Sequence, residues 1–269
     1  MKLKIMTINL RFDKPDKDES AWAVRRSAVA AQIRHYDPDI IGTQEGLAHQ
    51  LLDLHRLLPE YQSVGGDREA KGTQERCAIF FRFPKLHCVG MGDFWLSETP
   101  DRPGSMTPHW ENPVPRMATW GVFAAGESEQ KVAVCNTHLD YHSDRARKLG
   151  AQLIRDRLAT LEVEAIDNLQ QTALFFITGD FNAEPGSPPR ETLGGKLGDR
   201  ADAPQLRDAL ADVELDRQKS FHDFTGKAFA AVDTIYYDAR LTLQQATVDP
   251  QQWEGVWPSD HYPAIAQFK

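Results

Sequence analysis

The chain has 269 residues, 41% of them hydrophobic, which permits one large domain or two small ones around a sizeable core. Its 31 basic residues face 39 acidic ones, for a formal charge of −8, and an acidic surface repels phosphate backbones at long range, disfavouring non-specific duplex binding. Cys77, Cys88 and Cys135 lack the number and spacing of a disulfide framework or a zinc site; no signal peptide is expected, and the longest apolar run, Ala173 to Ile177, cannot span a bilayer, so a cytoplasmic protein with reduced thiols is expected.

Lys2 to Asn9 alternates polar and apolar residues and predicts a strand. Ser20 is a candidate cap for a helix to Tyr36, with Trp22, Val29, Ile33 and Tyr36 on one face and Asp37-Pro38 as its stop. Asp39 to Thr43 reads as a short buried strand that delivers Gln44 and Glu45 at its C-terminal end. Leu47 to Leu58 reads as a second helix. Ala78 to Arg82, Leu86 to Phe94, Ala118 to Ala125 and Lys131 to His138 are rich in Phe, Val and Ile and predict four further strands.

Thr99 to Pro115 carries five prolines, so no regular element is expected there; a long loop in a compact domain is often functional. Ser143 to Asn168 predicts a long helix with Leu149, Leu153, Leu158, Leu161 and Ile166 at helical spacing. Ala173 to Gly179 is a fully apolar strand, and Val232 to Tyr236, Leu241 to Ala246 and Ala264 to Phe268 are the last ones. Strands in hairpin-like succession, others separated by helices, predict an α/β fold of two mixed β-sheets packed face to face with helices outside. No repeat, low-complexity tract or linker interrupts residues 1–269, which read as one domain.

Residues able to do chemistry gather at the ends of these strands. They are Asn9, Glu45, His138 with Asp140, Asp180 with Asn182, Asp233, and Asp260 with His261. Strand ends along one edge of a sandwich converge on one rim. Carboxylate and amide oxygens such as Glu45, Asn9 and Asp260 are hard ligands suited to Mg2+ or Mn2+ rather than zinc. Such a cation neutralises phosphoryl oxygens and a developing leaving-group charge. Asp180 and Asn182 can orient a water for in-line attack, and a carboxylate hydrogen-bonded to an imidazole fixes its tautomer and raises its basicity.

The ordered set of QE after DPDII, then NTHLD, TGDFN and SDH, resembles the endonuclease/exonuclease/phosphatase family from Asn9 to His261. That resemblance implies a four-layered α/β sandwich and a metal-dependent phosphoester hydrolase. It implies Asn9, Glu45 and Asp260 as metal-site residues. It implies Asp180 and Asn182 as the pair that positions water and phosphate, His261 as the catalytic histidine with Asp233 as its partner, and His138 as a second histidine at the scissile phosphate. Glu75 is the match for a carboxylate partner of that second histidine. The segments NLRFD, with Trp22 and Arg26, and FWLSETPDRPGS followed by PRMATW are similar to those of bacterial members with no settled substrate.

Ordinary structural roles compete at several positions. Asp140 fits a helix cap or an orienter of His138 as well as direct catalysis. Arg116 suits bidentate phosphate binding, with a salt bridge as the rival. Phe94, Trp95 and Trp120 read as core, as do Trp253 and Trp257, while His109 and Trp110 sit in the Pro-rich loop. His87, His142 and His222 receive no role. Hydrolysis of a phosphomonoester or phosphodiester on a small or medium-sized molecule is the expected function. A nuclease acting on DNA or RNA is the alternative, and a catalytically dead binding module is disfavoured because no site residue is lost. No apolar anchor supports a membrane partner. The basic residues Arg145, Arg147, Lys148, Arg155 and Arg157 are interleaved with Asp144 and Asp156, as on a solvated helix face rather than a duplex-binding groove.

Overall fold

Two βαβ crossovers organise the chain, one in each of two sheets. A computed structural model describes residues 2–16, 18–126, 130–169 and 173–269, excluding the side chains of 162–169. In the first crossover, β1 (Leu3–Asn9) passes through α1 (Trp22–Tyr36) to β2 (Ile40–Gln44), and the two strands pair in parallel with Asn9 beside Gln44. In the second, β7 (Lys131–His138) passes through α3 (Asp144–Leu169) to β8 (Ala173–Asp180), again in parallel, with His138 beside Asp180. Every other strand pairing is antiparallel.

The remaining elements extend these cores. The first sheet adds α2 (Ala48–Leu57), β3 (Tyr61–Val64), β4 (Ile79–Arg82), β12 (Leu243–Val248) and β13 (Ala264–Phe268); its six strands run in the order β12-β13-β1-β2-β4-β3. The second takes β5 (Leu86–Trp95), β6 (Met117–Ala125), β9 (Gly195–Lys196), β10 (Gln205–Asp208) and β11 (Asp233–Asp238), in the order β5-β6-β7-β8-β11-β10-β9. Two short helices, α4 (Pro188–Leu193) and α5 (Leu215–Gln218), complete the set.

Alternation within the strands sorts their side chains into layers. Ile5, Ile40, Phe81, Phe123, Val134, Phe176 and Phe268 form the apolar layer between the sheets. Met6, Ile8, Ile41 and Phe80 face the opposite way, onto Trp22, Val29 and Ile33 of α1 and Leu51 and Leu54 of α2. Cys135, Phe175 and Ile177 likewise meet Ala151, Ile154 and Leu158 of α3. The result is the expected four-layered sandwich of two mixed sheets with helices outside.

Toward the site end the inter-sheet layer turns polar. Gln44 donates through Nε2 to Thr7 Oγ1 (3.1 Å) and Asn136 Oδ1 (2.7 Å), and Asn136 Nδ2 donates to the carbonyls of Thr43 (2.8 Å) and Ala78 (3.0 Å). Gly42 is required beside this cluster, because a Cβ there would sit 2.1 Å from Thr178 Oγ1. Buried amides that are hydrogen-bonded this way fix the register of one sheet on the other.

Several expectations are corrected in detail. Ser20 does not cap α1; the helix starts at Trp22 after Ala21 with no side-chain cap, and the Ser20 carbonyl instead accepts a hydrogen bond from Arg25 Nε (2.6 Å). The Pro-rich loop holds one 3-10 turn, Pro108–Trp110, where the missing proline N–H is tolerated at the first position. The strand expected at Leu241 to Ala246 lies two residues later. Strands β3, β9 and β10 were too short or too polar to predict, and Ile166 lies outside the described side chains.

Candidate active site

The strand registers assemble the site. β7, β8 and β11 are neighbours, and their pairing sets His138 beside Asp180 and Asp180 beside Asp233. β1 and β2 end on the facing sheet at the same rim, and the turn before β13 adds Asp260 and His261. All nine residues singled out as catalytic, metal-binding or substrate-binding reach this one region. Glu45, Arg116, His138, Asp180, Asn182, Asp260 and His261 line a cleft of about 580 Å³. Asn9 and Asp233 lie fully buried beneath it, each hydrogen-bonded to a lining residue.

Asp180 is the hub. Its Oδ2 accepts a hydrogen bond from Asn9 Nδ2 (3.0 Å) and lies 3.4 Å from His138 Nε2 and 3.7 Å from His261 Nε2. Its Oδ1 accepts the backbone N–H of Asn182 (3.0 Å). Burial and the nearby Asp233 carboxylate push its pKa up to about 7, against the opposing pull of His261.

The two histidines are held in opposite states. His261 Nδ1 donates to Asp233 Oδ2 at 2.7 Å, and the same oxygen accepts the Ser220 hydroxyl at 2.6 Å. Burial alone lowers the His261 pKa, but the charges of Asp233 and Asp180 outweigh it and leave this imidazole well above its ordinary value. His138 has no such carboxylate balance: burial, then the cations of Arg116, His261 and Arg68, hold it well below. Asn182 fixes its tautomer. One amide hydrogen of Asn182 goes to the Leu139 carbonyl (3.1 Å), so the other points at His138 Nε2 (3.0 Å), which must accept. His138 is therefore neutral, with its proton on Nδ1.

On the opposite wall, Asn9 bridges two carboxylates, donating to Asp180 and to Glu45 Oε1 (3.0 Å). Its own oxygen accepts the Arg11 N–H (2.8 Å). Asn9, expected to bind a metal, joins the two halves of the site through its Nδ2, and its oxygen keeps one lone pair beyond the bond to Arg11. Glu45 Oε2 accepts the Phe12 N–H (3.0 Å), and Asp260 Oδ2 faces Arg11 Nε at 3.4 Å. Asp260 has a raised pKa through burial, with Glu45 adding like-charge repulsion against the pull of His261 and Arg11. Arg11, Glu45 and Asn182, which line the cleft, adopt positive φ, at 54°, 62° and 47°.

Two groups of side chains can hold a divalent cation. Asp180, Asp233 and His261 offer ligand atoms within 4.8 Å of one another; Asp233 Oδ2 and His261 Nδ1 are engaged with each other, while Asp233 Oδ1 is buried with no partner among the described residues. Glu45 and Asp260 add a second pair of hard carboxylate oxygens, whose like charges repel each other.

Other expectations resolve individually. Arg116 is buried at the cleft wall, so the Pro-rich loop does reach the site, but only through Val114, Pro115 and Arg116. Its other residues turn away: Trp110 joins the core and His109 pairs with Glu98 at the surface. Asp140 caps the turn into α3, accepting the N–H groups of His142 (3.0 Å) and Ser143 (2.7 Å), and does not touch His138. Glu75 pairs with Arg68 (2.8 Å) rather than with His138. Trp253 donates to Asp249 (2.9 Å), away from the cleft. Arg11, Arg68, Ser220, Phe221 and Tyr141 went unmarked. Arg11 sits in the singled-out NLRFD segment, whereas nothing local marks Ser220.

A four-layered sandwich with a buried carboxylate–imidazole centre at the rim of its two parallel strand pairs defines a class of hydrolytic folds. The chain belongs to the Endonuclease/Exonuclease/phosphatase family, whose sequence profile matches residues 6–261. A family structure from Bacteroides vulgatus is similar at 28% identity, over 100% of this chain and 99% of that one, with a TM-score of 0.84. A mannosyl-6-phosphatase from Bacteroides thetaiotaomicron is similar at 26% identity, over 99% of both chains, with a TM-score of 0.85. The catalytic domain of human Nocturnin, with bound sulfate, shares the fold at 19% identity, over 100% of this chain and 93% of that one (TM-score 0.73). No curated protein matches by sequence. Family members are generally hydrolytic on phosphoesters and typically use a divalent metal. Among the described residues, no helix is long and apolar enough to cross a membrane.

Proposed function

We propose that this protein is a divalent-metal-dependent phosphomonoesterase acting on a small phosphorylated molecule, with phosphorylated sugars the foremost class. The observation that carries this reading is the meeting, in one cleft, of the Glu45–Asp260 carboxylate pair with the linked His138, Asp180, His261 and Asp233. Similarity along the whole chain to a mannosyl-6-phosphatase supports the substrate class. The surplus of acidic residues argues against duplex nucleic acid.

Glu45 and Asp260 would hold Mg2+ or Mn2+, with Asn9 orienting Glu45. The cation, when bound, supplies charge neutralisation of phosphoryl and leaving-group oxygens. The chain's own residues do the rest. Asp180, half-ionised near neutrality, can take a proton from an attacking water. His261 stays cationic, with Nδ1–H held on Asp233 and Nε2–H available to a phosphoryl oxygen. Asn182 keeps its side-chain oxygen free to orient the water while both its amide hydrogens are committed. Arg116 contributes terminal guanidinium nitrogens with no partner among the described residues, suited to a phosphate.

The test is turnover on hexose 6-phosphates, other small phosphoesters and defined duplex DNA, each with Mg2+ and with Mn2+, across a salt series. Phosphate release from small esters that resists salt is expected. Efficient duplex cleavage that falls steeply with salt would promote the nuclease reading in its place.

A further inference from the structure

Tyr141 is one of the most exposed large side chains in the molecule, 60% accessible, yet it lines the cleft. It follows directly on Leu139 and Asp140, both buried, so its backbone has little freedom. Asp140 fixes its surroundings twice. One carboxylate oxygen gathers the N–H groups of His142 and Ser143, and the other faces Arg116 Nε at 3.5 Å. The Arg116 guanidinium in turn lies 5.5 Å from the Tyr141 ring centroid. One face of the ring is thus covered by a cation and the rest is left open.

Within the fold the ring meets only the Arg116 guanidinium and, edge-on at 6.4 Å between centroids, the His142 ring among the described residues, and it is not part of any buried core cluster. Its position does suit recognition of the group esterified to the phosphate. If Arg116 binds the phosphate, only a moiety within a few bonds of phosphorus can reach a ring that packs on the same guanidinium. A hexose 6-phosphate meets that condition. A nucleobase, set apart from its phosphate by the ribose, does not. The ion-paired Arg68 and Glu75 line the same cleft and offer a donor and an acceptor to sugar hydroxyls.

We infer that Tyr141 is the specificity-determining residue of this cleft, its open face receiving the C–H face of a pyranose joined to the phosphate. This rests on the phosphomonoesterase reading above. Tyr141→Ala should lower the ratio of kcat/KM for mannose 6-phosphate over glycerol 3-phosphate about tenfold, equivalent to roughly 1.4 kcal/mol, while Tyr141→Phe keeps that ratio. Tyr141 is exposed, so the fold does not depend on it. An unchanged ratio in Tyr141→Ala would overturn the inference, and so would a larger loss on adenosine 5′-monophosphate than on the hexose ester. If the wild type turns over none of these, the phosphomonoesterase reading has failed. Calorimetry then reads the affinity for mannose 6-phosphate relative to inorganic phosphate; a tenfold drop in Tyr141→Ala sustains the subsite and no drop refutes it.

Discussion

Each half of the sandwich stakes its site loops with one buried arginine, and the two arginines are held differently. Arg25, in α1, donates only to main-chain carbonyls: Ser20, Leu10, Arg11 and Pro258. It thereby ties the segment after β1 to the turn carrying Asp260 and His261. Arg190, in α4, donates to the carbonyls of Ala183 and Ala231 and also meets Tyr236 (2.9 Å) and the Asp208 carboxylate (2.5 Å). Without a contacting carboxylate, Arg25 has its pKa lowered to about 10 by burial, whereas Tyr236 and Asp208 reverse that effect of burial and raise Arg190. The carbonyl-held half presents the Glu45 and Asp260 carboxylates, with Asn9 bridging Glu45 to Asp180, and it also carries His261. The ion-paired half presents Asp180, Asp233 and His138, and His261 from the first half completes the imidazole–carboxylate relay by its bond to Asp233. The proposed function divides the labour between two residue sets: Glu45 and Asp260 for the cation, and Asp180, Asp233, His138 and His261 for protons.

The largest effect expected is in the relay. His261→Ala should lower kcat/KM by about 10²- to 10³-fold, as for removal of a donor to a phosphoryl oxygen. Adding Asp233→Ala should cost little more than the worse single change, because Asp233 acts through His261. Multiplicative losses in steady-state kinetics would separate the two residues. Next come the arginines. Arg190→Met should destabilise the fold by roughly 3–4 kcal/mol in urea unfolding, since it leaves the buried Tyr236 hydroxyl, two buried carbonyls and the half-buried Asp208 carboxylate without their donor. Arg25→Met, which strands only carbonyls, should cost less, about 2–3 kcal/mol. The reverse order would erase the contrast between the halves.

Glu45→Gln is expected to reduce turnover on the order of a hundredfold at saturating Mg2+. Near wild-type turnover would remove Glu45 from the metal site. The smallest effect concerns acid sensitivity. His222 is buried against Tyr262, with ring centroids 4.1 Å apart; burial, then His261, lowers its pKa to about 4. Its unfolded pKa is about 6.5, so the unfolded chain binds the extra proton first as pH falls. Stability should therefore decline between about pH 6.5 and 4. His222→Phe should flatten that part of a thermal-midpoint profile, and an unaltered slope would assign the acid sensitivity elsewhere.

The residues that gather at the cleft were readable as candidates because several of them end buried, largely apolar strands, such as Ile5 to Asn9 and Phe175 to Asp180. Pairing registers then bring those ends together. The supporting residues were not legible. Arg25 and Arg190 act through carbonyls and side chains far away in sequence, and Ser220 matters only because the chain returns to Asp233. Arg26 stood out in the sequence where Arg25 does the anchoring; Arg26 pairs with Asp53 at the surface. Asn9 was singled out in the sequence and lies beneath the cleft, but its amide orientation depends on Arg11 and two carboxylates that only the fold assembles.

The division of labour is tested most directly by Mn2+ binding, followed by electron paramagnetic resonance in the wild type, Glu45→Gln and Asp233→Asn. Glu45→Gln should weaken binding at least about tenfold, a change of roughly 1.4 kcal/mol, while Asp233→Asn keeps an affinity close to wild type. The opposite pattern, Mn2+ lost in Asp233→Asn and retained in Glu45→Gln, would move the cation onto the Asp180, Asp233 and His261 group and contradict the division.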